Sequence, residues 1–212
     1  MANTITLTIG NDSETGTILD DIIWSLDGDD TVFGGIWSDT IHGGNGSDEL
    51  WCGADNDTLY GDNDNDKIDV GDGNDSLNAG KGDDTVDGGA GDDSIYAGEG
   101  WDTVYGGLGN DTLLGGSGLD DLHGGAGDDY MIDGNGSDKF VVHAGHDTIA
   151  DFQNNRDTID VSETLTTFAA RKAYVDSHAT VVGGNTIVTD DVSTSITILG
   201  LTNITQLYDD IE

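Results

Sequence analysis

Aspartate recurs at every ninth position over most of the chain, and carboxylate oxygens are preferred ligands of hard cations. From Asp12, sixteen consecutive positions spaced by nine residues all hold Asp, with no insertion or deletion. The series is Asp12, Asp21, Asp30, Asp39, Asp48, Asp57, Asp66, Asp75, Asp84, Asp93, Asp102, Asp111, Asp120, Asp129, Asp138 and Asp147. Asp is common in loops, but a fixed register over so many periods is not. The pattern predicts a repeated binding site for a divalent cation.

Glycine keeps the same register as the aspartates. If Asp is placed sixth in a frame of nine, Gly fills both places two and four in the frames that start at residues 43, 70, 79, 88, 97, 106, 115, 124 and 133. Gly adopts positive φ without steric cost, so these stretches predict turns. Asp55 and Asp64 replace Gly at place four, and Asp tolerates the left-handed region better than most residues. We expect those two turns to form as well.

An apolar residue follows each Asp by two positions, with Glu14 as the exception. A piece such as 112–114 is then a minimal strand whose middle side chain faces a core. One strand and one turn make half a coil, so two nonapeptides, or eighteen residues, close one coil of a flattened solenoid. Each frame stacks on the next but one, which places Asp93 beside Asp111. The fold class that this predicts is all-β.

The spacing between coils suits calcium. Stacked strands lie about 4.8 Å apart, which is twice a Ca–O distance of about 2.4 Å. Magnesium requires shorter bonds and a strict octahedron, so it fits poorly. The chain has no cluster of His and Cys that would favour zinc.

The charge balance restricts the possible partners. The chain has 43 Asp and Glu against 6 Lys and Arg, a formal net charge of −37, and only 34% hydrophobic residues. We therefore expect no nucleic-acid partner and no binding to an anionic membrane surface. No apolar run approaches the roughly 18 residues of a membrane span, and a lone Cys52 excludes an internal disulfide. Such a composition favours disorder unless cations neutralise the carboxylates.

The glycine-rich nonapeptide GGxGxDxUx, in which U is aliphatic, resembles the RTX (hemolysin-type) repeat of bacterial secreted proteins over about residues 25–150. The resemblance implies a right-handed parallel β-roll, here of about seven or eight coils, with a small α+β C-terminal cap. It divides the chain into an N-terminal cap with degenerate repeats at residues 1–24, the roll at 25–150, and a capping and secretion-signal region at 151–212.

The resemblance also implies a ligand pattern. Each Ca²⁺ takes the carbonyls of places two and four and the Asp of one frame, plus the carbonyls of places one and three and the Asp of the frame eighteen residues on. The metal ligands expected on this basis are Asp30, Asp39, Gly44, Gly46, Asp48, Asp57, Asp66, Gly71, Gly73, Asp75, Gly80, Gly82, Asp84, Gly88, Gly89, Ala90, Gly91, Asp93, Ala97, Gly98, Glu99, Gly100, Asp102, Gly106, Gly107, Leu108, Gly109, Asp111, Gly115, Gly116, Ser117, Gly118, Asp120, Gly124, Gly125, Ala126, Gly127, Asp129, Asp133, Asn135, Asp138 and Asp147.

The C-terminal third departs from the repeat. Residues 146–165 are similar to the segment that closes RTX arrays, and Asp157 and Asp160 are expected to join the last calcium turns. Residues 166–178 have helical spacing and are expected to plug the end of the solenoid. Residues 186–191 and 193–201 alternate as strands. The tail at 205–212 resembles the uncleaved C-terminal export signal of type I secretion substrates. The first ten residues lack the features of an N-terminal signal peptide.

The functional prediction is a calcium-binding module that folds on Ca²⁺ after type I secretion into the extracellular medium, with the secretion machinery as a partner. No HExxH, GxSxG or P-loop motif is present, so we expect no enzyme. The alternative is a calcium-dependent adhesin that binds a glycan or another surface through outward aromatic side chains at place nine. These are Trp24, Phe33, Trp51, Tyr60, Tyr96 and Tyr105. Stacking between strands also accounts for them, and assembly through the sheet faces is a third hypothesis.

Overall fold

The computed structural model describes residues 2–153, 156–160, 179–182, 185–190 and 194–199. The helix expected at 166–178 and the export signal expected at 205–212 lie outside these residues. The described part of the chain consists of strands and turns.

Twenty-one strands follow one another along the described residues. They are β1 (Asn3–Thr6), β2 (Ser13–Thr15), β3 (Asp21–Trp24), β4 (Thr31–Ile36), β5 (Thr40–Asn45), β6 (Glu49–Ala54), β7 (Thr58–Asn63), β8 (Lys67–Asp72), β9 (Ser76–Lys81), β10 (Thr85–Asp87), β11 (Ser94–Gly100), β12 (Thr103–Leu108), β13 (Thr112–Gly118), β14 (Asp121–Ala126), β15 (Tyr130–Asn135), β16 (Lys139–Val141), β17 (His146–Ile149), β18 (Thr158–Asp160), β19 (Ala179–Val182), β20 (Asn185–Asp190) and β21 (Thr194–Ile198).

The strands form a parallel β-solenoid, as the sequence predicts. Odd-numbered strands from β1 to β17 lie in one sheet, and even-numbered strands from β2 to β18 form a second sheet of 9 strands. From β1 to β17, paired residues are eighteen apart, as in the pairing of Ile95 with Leu113, and β16 pairs with β18 nineteen residues on. The roll therefore has 9 coils rather than seven or eight. The additional coils arise because β1 and β2 also pair in this register, and because β18 extends the second sheet.

Most strands are longer than the expected three residues. β11, for example, covers seven residues, and its pairing with β13 continues through Gly98 opposite Gly116. The glycine turns of successive coils therefore hydrogen-bond to one another, as the strands do. Each turn is held between two copies of itself.

From residue 16 onward, the core contains one apolar side chain from each nonapeptide, at place eight. These residues are at most 3% exposed. They are Ile23, Val32, Ile41, Leu50, Leu59, Ile68, Leu77, Val86, Ile95, Val104, Leu113, Leu122, Met131, Phe140 and Ile149. Four apolar residues at place one are also fully buried, which the repeat pattern does not predict. They are Cys52, Val70, Ala79 and Ala97. The side chain at place one therefore fills the space between the two sheets where it is apolar.

The two strands expected near the C-terminus are present as β20 and β21. β21 pairs in parallel with β17, and β20 pairs antiparallel with both β19 and β21. Ile196 and Ile198 of β21 extend the core of the roll. None of the described residues forms a helix that is long and apolar enough to cross a membrane.

Candidate metal centres

The place-six aspartates form two continuous ladders, one along each edge of the roll. The backbone amide of each Asp donates a hydrogen bond to Oδ1 of the Asp eighteen residues on, with N–O distances of 2.7–3.2 Å from Asp12 to Asp147. Asp93 and Asp111, for example, are joined at 2.9 Å. The predicted stacking of each frame on the next but one is thus confirmed.

From Asp30 onward, the second oxygen of each ladder carboxylate has no hydrogen-bond partner. The fourteen ladder residues from Asp30 to Asp147 are at most 4% exposed, and the Oδ2 atom of each is buried and unpaired. An unsatisfied buried carboxylate oxygen is costly. Buried, unpaired carboxylate oxygens recur along both edges, and bound cations would offset their cost.

Glycine at place one leaves room beside these oxygens. A Cβ added to Gly43 would lie 2.6 Å from Oδ2 of Asp48 and 2.7 Å from the carbonyl oxygen of Gly61 in the next coil. At Gly115 the corresponding distances to Asp120 and Asp133 are 2.7 and 2.8 Å. A carboxylate oxygen and a carbonyl oxygen of successive coils thus approach the same small volume. This donor set, made of oxygen alone, suits Ca²⁺.

The turn carbonyls expected as ligands also stack from coil to coil. The amide of Leu108 donates to the carbonyl of Gly89 at 2.8 Å, and the amide of Gly91 donates to the carbonyl of Leu108 at 2.7 Å. A carbonyl oxygen has two lone pairs, so each retains capacity for a metal ion. The structure therefore brings the expected carbonyls and carboxylates to the same edges.

Five residues other than Gly also have positive φ at places two or four. Gly107 and Gly109 have φ of 106° and 130°. Asp55 and Asp64 have φ of 78° and 71°, which confirms the prediction that their turns form. Trp37 at place four also has a φ of 76°. Asp55, eighteen residues on, has the same conformation, so stacking on the next coil supports this geometry even at a residue that disfavours it.

Burial raises the pKa of the ladder carboxyls from Asp30 to Asp147. Desolvation raises the pKa of Asp66 to about 8; the amide of Asp48 opposes the rise, and the charges of Asp84, Asp48 and Asp64 add to it. The pKa of Asp57 and that of Asp120 rise to about 7, chiefly through burial. Without a cation, ionisation of these groups opposes the folded state.

The last coil places Asp157 and Asp160 differently. Asp157 is fully buried and lies beside Asp133 and Asp138, as expected for a residue that joins the final turns. The carboxylate of Asp160 lies 3.0 Å from Nζ of Lys139, so the structure places it in an ion pair on the sheet. The buried side chain of Asp133 was missed, because the repeat pattern assigns only a carbonyl to place one. The signal in the sequence was an Asp where other frames have Gly, Ser or an apolar residue.

The outward aromatic residues stack in rows across the coils. The rings of Trp24 and His42 have centroids 3.8 Å apart, and His42 continues the row to Tyr60 at 4.6 Å. On the other sheet, Phe33 and Trp51 stack at 4.6 Å. Each row thus links neighbouring coils.

Two stacked sheets with carboxylate and carbonyl oxygens along both edges define a cation-binding β-roll. The family model described as RTX calcium-binding nonapeptide repeat (4 copies) matches residues 8–36, 15–50, 38–68, 51–86, 60–95, 78–113 and 114–149. These matches cover more than half of the chain, so the protein belongs to the RTX calcium-binding repeat family. It is a calcium-binding repeat module.

Two solved structures resemble the chain. One is the extracellular lipase LipA from Serratia marcescens, with 17% identity, a TM-score of 0.46 and a match that covers 100% of this chain and 40% of the lipase. The chain thus spans less than half of that protein. The other is the AlgE6R3 subunit of the Azotobacter vinelandii mannuronan C5-epimerase, with 24% identity, a TM-score of 0.26 and coverage of 72% and 79%. A comparison with curated proteins gave no match.

Proposed function

We propose that this module folds when Ca²⁺ binds along both edges of the roll, and that it does so in the extracellular medium after type I secretion. The observation that carries the proposal is the pair of ladders of buried carboxylates, each with one unpaired oxygen. The division into an N-terminal cap at 1–24, a roll at 25–150 and a C-terminal capping and signal region at 151–212 is part of this proposal.

The ligands in this proposal are those of the RTX pattern. One site would use Gly107, Gly109 and Asp111 with the frame of Gly124, Ala126 and Asp129. Its neighbour on the opposite edge would use Gly98, Gly100 and Asp102 with Gly115, Ser117 and Asp120. Since the Oδ1 atoms of the ladder are engaged by amides, the free Oδ2 atoms are the donors that we assign to the ions.

Electrostatics support a dependence of folding on calcium. Successive carboxylates of a ladder lie about one strand spacing apart, and two unit charges at about 4.8 Å repel by roughly 3 kcal/mol at an effective dielectric constant of 20. Several such pairs occur on each edge, and the whole chain has a formal charge of −37. A folded protein is stable by only about 5–15 kcal/mol. Ions between the carboxylates turn this repulsion into attraction.

The test is a calcium titration of the chelator-stripped full chain, followed by far-UV circular dichroism with magnesium as the control. We expect a cooperative transition from coil to β structure at sub-millimolar to millimolar Ca²⁺, the range of extracellular calcium modules. Magnesium should not produce it. A β signal that is already complete in chelator would contradict calcium-driven folding.

Secretion is tested separately in a bacterial host that carries a type I export system. In a low-calcium cytosol the carboxylates would repel one another, which keeps the chain unfolded and competent for export. Outside, Ca²⁺ at about 1 mM would fill sites of about 10⁻⁴–10⁻³ M affinity and drive folding by mass action. Removal of residues 205–212 should abolish export. Export that is unchanged by this deletion would contradict the assignment of the signal.

A second candidate is a calcium-dependent adhesin, supported by the aromatic rows on the sheet faces. Trp24 and Phe33 remain 41% and 39% exposed although they stack on their neighbours. Their ring faces are used in stacking, which favours a role in stiffening the roll. A glycan array probed with and without Ca²⁺ separates the two roles. A calcium-dependent hit that Trp24→Ala removes would support the adhesin.

A further inference from the structure

The C-terminal end of one edge departs from the repeat at Asp133. This residue occupies place one, where the preceding frames of this edge have Leu7, Ser25, Gly43, Gly61, Ala79, Ala97 and Gly115. Its side chain is 0% exposed, and neither carboxylate oxygen has a hydrogen-bond partner. A buried carboxylate with two unpaired oxygens requires a cation or a proton.

The next turn contains one extra residue, which brings a further carboxylate to Asp133. The amide of Asp138 donates to Oδ1 of Asp157 at 3.3 Å, nineteen residues on instead of eighteen. β16 and β18 pair in the same shifted register. One carboxylate oxygen from each of Asp133, Asp138 and Asp157 lies within 4.8 Å of the others, and all three residues are buried.

The surrounding hydrogen bonds distinguish this group from a repeat site. Nε2 of Gln153 donates to the carbonyl of Gly134 at 2.9 Å, and this carbonyl at place two is an expected ligand in a repeat site. The neighbouring carboxylate of Asp151 accepts hydrogen bonds from the amides of Asp133 and Gly134 at 3.1 and 2.9 Å. Asp157 likewise accepts the amides of Asp138 and Gln153, one on each oxygen. Asp151 and Asp157 are therefore satisfied by the backbone, while both oxygens of Asp133 and the Oδ2 atom of Asp138 are not.

We propose that Asp133, Asp138 and Asp157 together bind one Ca²⁺ of their own at the C-terminal end of the roll, more tightly than the repeat sites bind theirs. A repeat site receives two carboxylates, one from each of two successive coils. This site has three carboxylates, two from one coil and one from the next. Calcium affinity rises with the charge count and rigidity of the ligands. The inference rests on the proposed function, because the affinity of this site is compared with that of the repeat sites. The ligand that sets this site apart is the side chain of Asp133 rather than a backbone carbonyl.

The experiment measures calcium uptake by the chelator-stripped full chain against a competing calcium dye, and native mass spectrometry counts the bound ions. The wild-type chain should bind one ion at a calcium concentration about tenfold or more below that needed to fill the repeat sites, because the site of this ion has an extra carboxylate. Asp133→Asn should weaken the binding of that ion to the affinity of the repeat sites and leave the affinity of the other ions unchanged. Asp133→Gly, which restores a repeat residue at place one, should do the same while the chain still folds at high calcium.

Asp128→Asn is the matched control, since it removes one charge from an exposed position and should leave the first ion in place. Asn is also isosteric with a protonated Asp, so it distinguishes a metal ligand from a buried neutral acid. Two results would overturn this proposal and leave calcium binding by the repeat sites intact. One is uptake of a tightly bound ion by both Asp133 variants, and the other is a wild-type chain that binds all its ions in the same concentration range. A chain that takes up no calcium at all would refute the proposed function itself.

Discussion

Replacement of Asp111 by Asn is expected to change stability in opposite directions with and without calcium. Oδ1 of Asp111 accepts the amide of Asp93 at 2.9 Å, and its Oδ2 is buried and unpaired. Asn retains an oxygen for the amide and removes only the charge. In the proposed ligand scheme Asp111 serves two ions, one shared with Asp93 and one shared with Asp129.

The magnitude in calcium follows from mass action. A site with a Kd of about 10⁻⁴ M, at about 1 mM Ca²⁺, contributes roughly 1.4 kcal/mol to the free energy of unfolding. Loss of two such sites lowers it by about 3 kcal/mol, which is a large part of the stability of a small protein.

In chelator the sign reverses. Burial raises the pKa of Asp111 to about 6; the amide of Asp93 opposes the rise, and the charges of Asp129 and Asp92 add to it. At pH 7 the ionised group therefore opposes folding, by at most about 3 kcal/mol for a shift of about two pKa units. Asp111→Asn removes this penalty and should stabilise whatever folded population exists without the ion.

The assay is urea unfolding of wild type and variant, once in about 1 mM Ca²⁺ and once in chelator. Asp92→Asn is the control, because it removes the same charge from an exposed position in the same ladder region and should change stability by less than about 0.5 kcal/mol. If Asp111→Asn destabilises the protein equally in both solutions, the carboxylate acts through packing alone and the reasoning is refuted.

Two further predictions concern the turns and the pH dependence. Gly109→Ala places a Cβ against the carbonyl of Gly91 at a φ of 130°, so urea unfolding in calcium should show a loss of about 1–3 kcal/mol. Leu108→Ala, at a side chain 61% exposed, should change little, and equal losses would contradict the strain. In chelator, the raised pKa values of Asp57 and Asp66 mean that the folded state holds more protons than the unfolded one between about pH 4 and 8, so stability falls as pH rises. Circular dichroism should therefore show more β structure at pH 5 than at pH 8 in chelator; the opposite trend would contradict the burial of these groups.

Much of the fold follows from one periodicity. A register of eighteen residues with an apolar residue at place eight leaves few ways to bury those side chains, so the stacking of Ile95 on Leu113 could be predicted. The inward side chains at place one, such as Cys52 and Val70, could not be. Periodicity marks where a residue type recurs, whereas the direction of a side chain beside a turn depends on the φ of that turn.

The candidate site was predictable where the residue type dictates the geometry. Asp55 and Asp64 were expected to adopt positive φ because Asp tolerates it, and they do. Trp37 adopts the same conformation, although nothing in its own chemistry favours this. The turn of the next coil has that shape at Asp55, and tertiary context then outweighs local preference. The sequence of one turn does not contain this information, because it resides in the turn that stacks on it.

The end of the roll shows most clearly why a repeat pattern has to be interpreted through its exceptions. Asp133 matches the register and would pass as another carbonyl donor, yet its side chain is buried beside Asp138. Asp157 breaks the register by one residue, and for that reason a count by nines does not pair it with Asp138. The extra residue shifts the pairing of β18 along with it, so the ladder continues into the segment that follows the repeat. The extra residue lengthens the turn without interrupting the stack of strands. It places the carboxylate of Asp157 beside Asp133 and Asp138 at the end of the repeats.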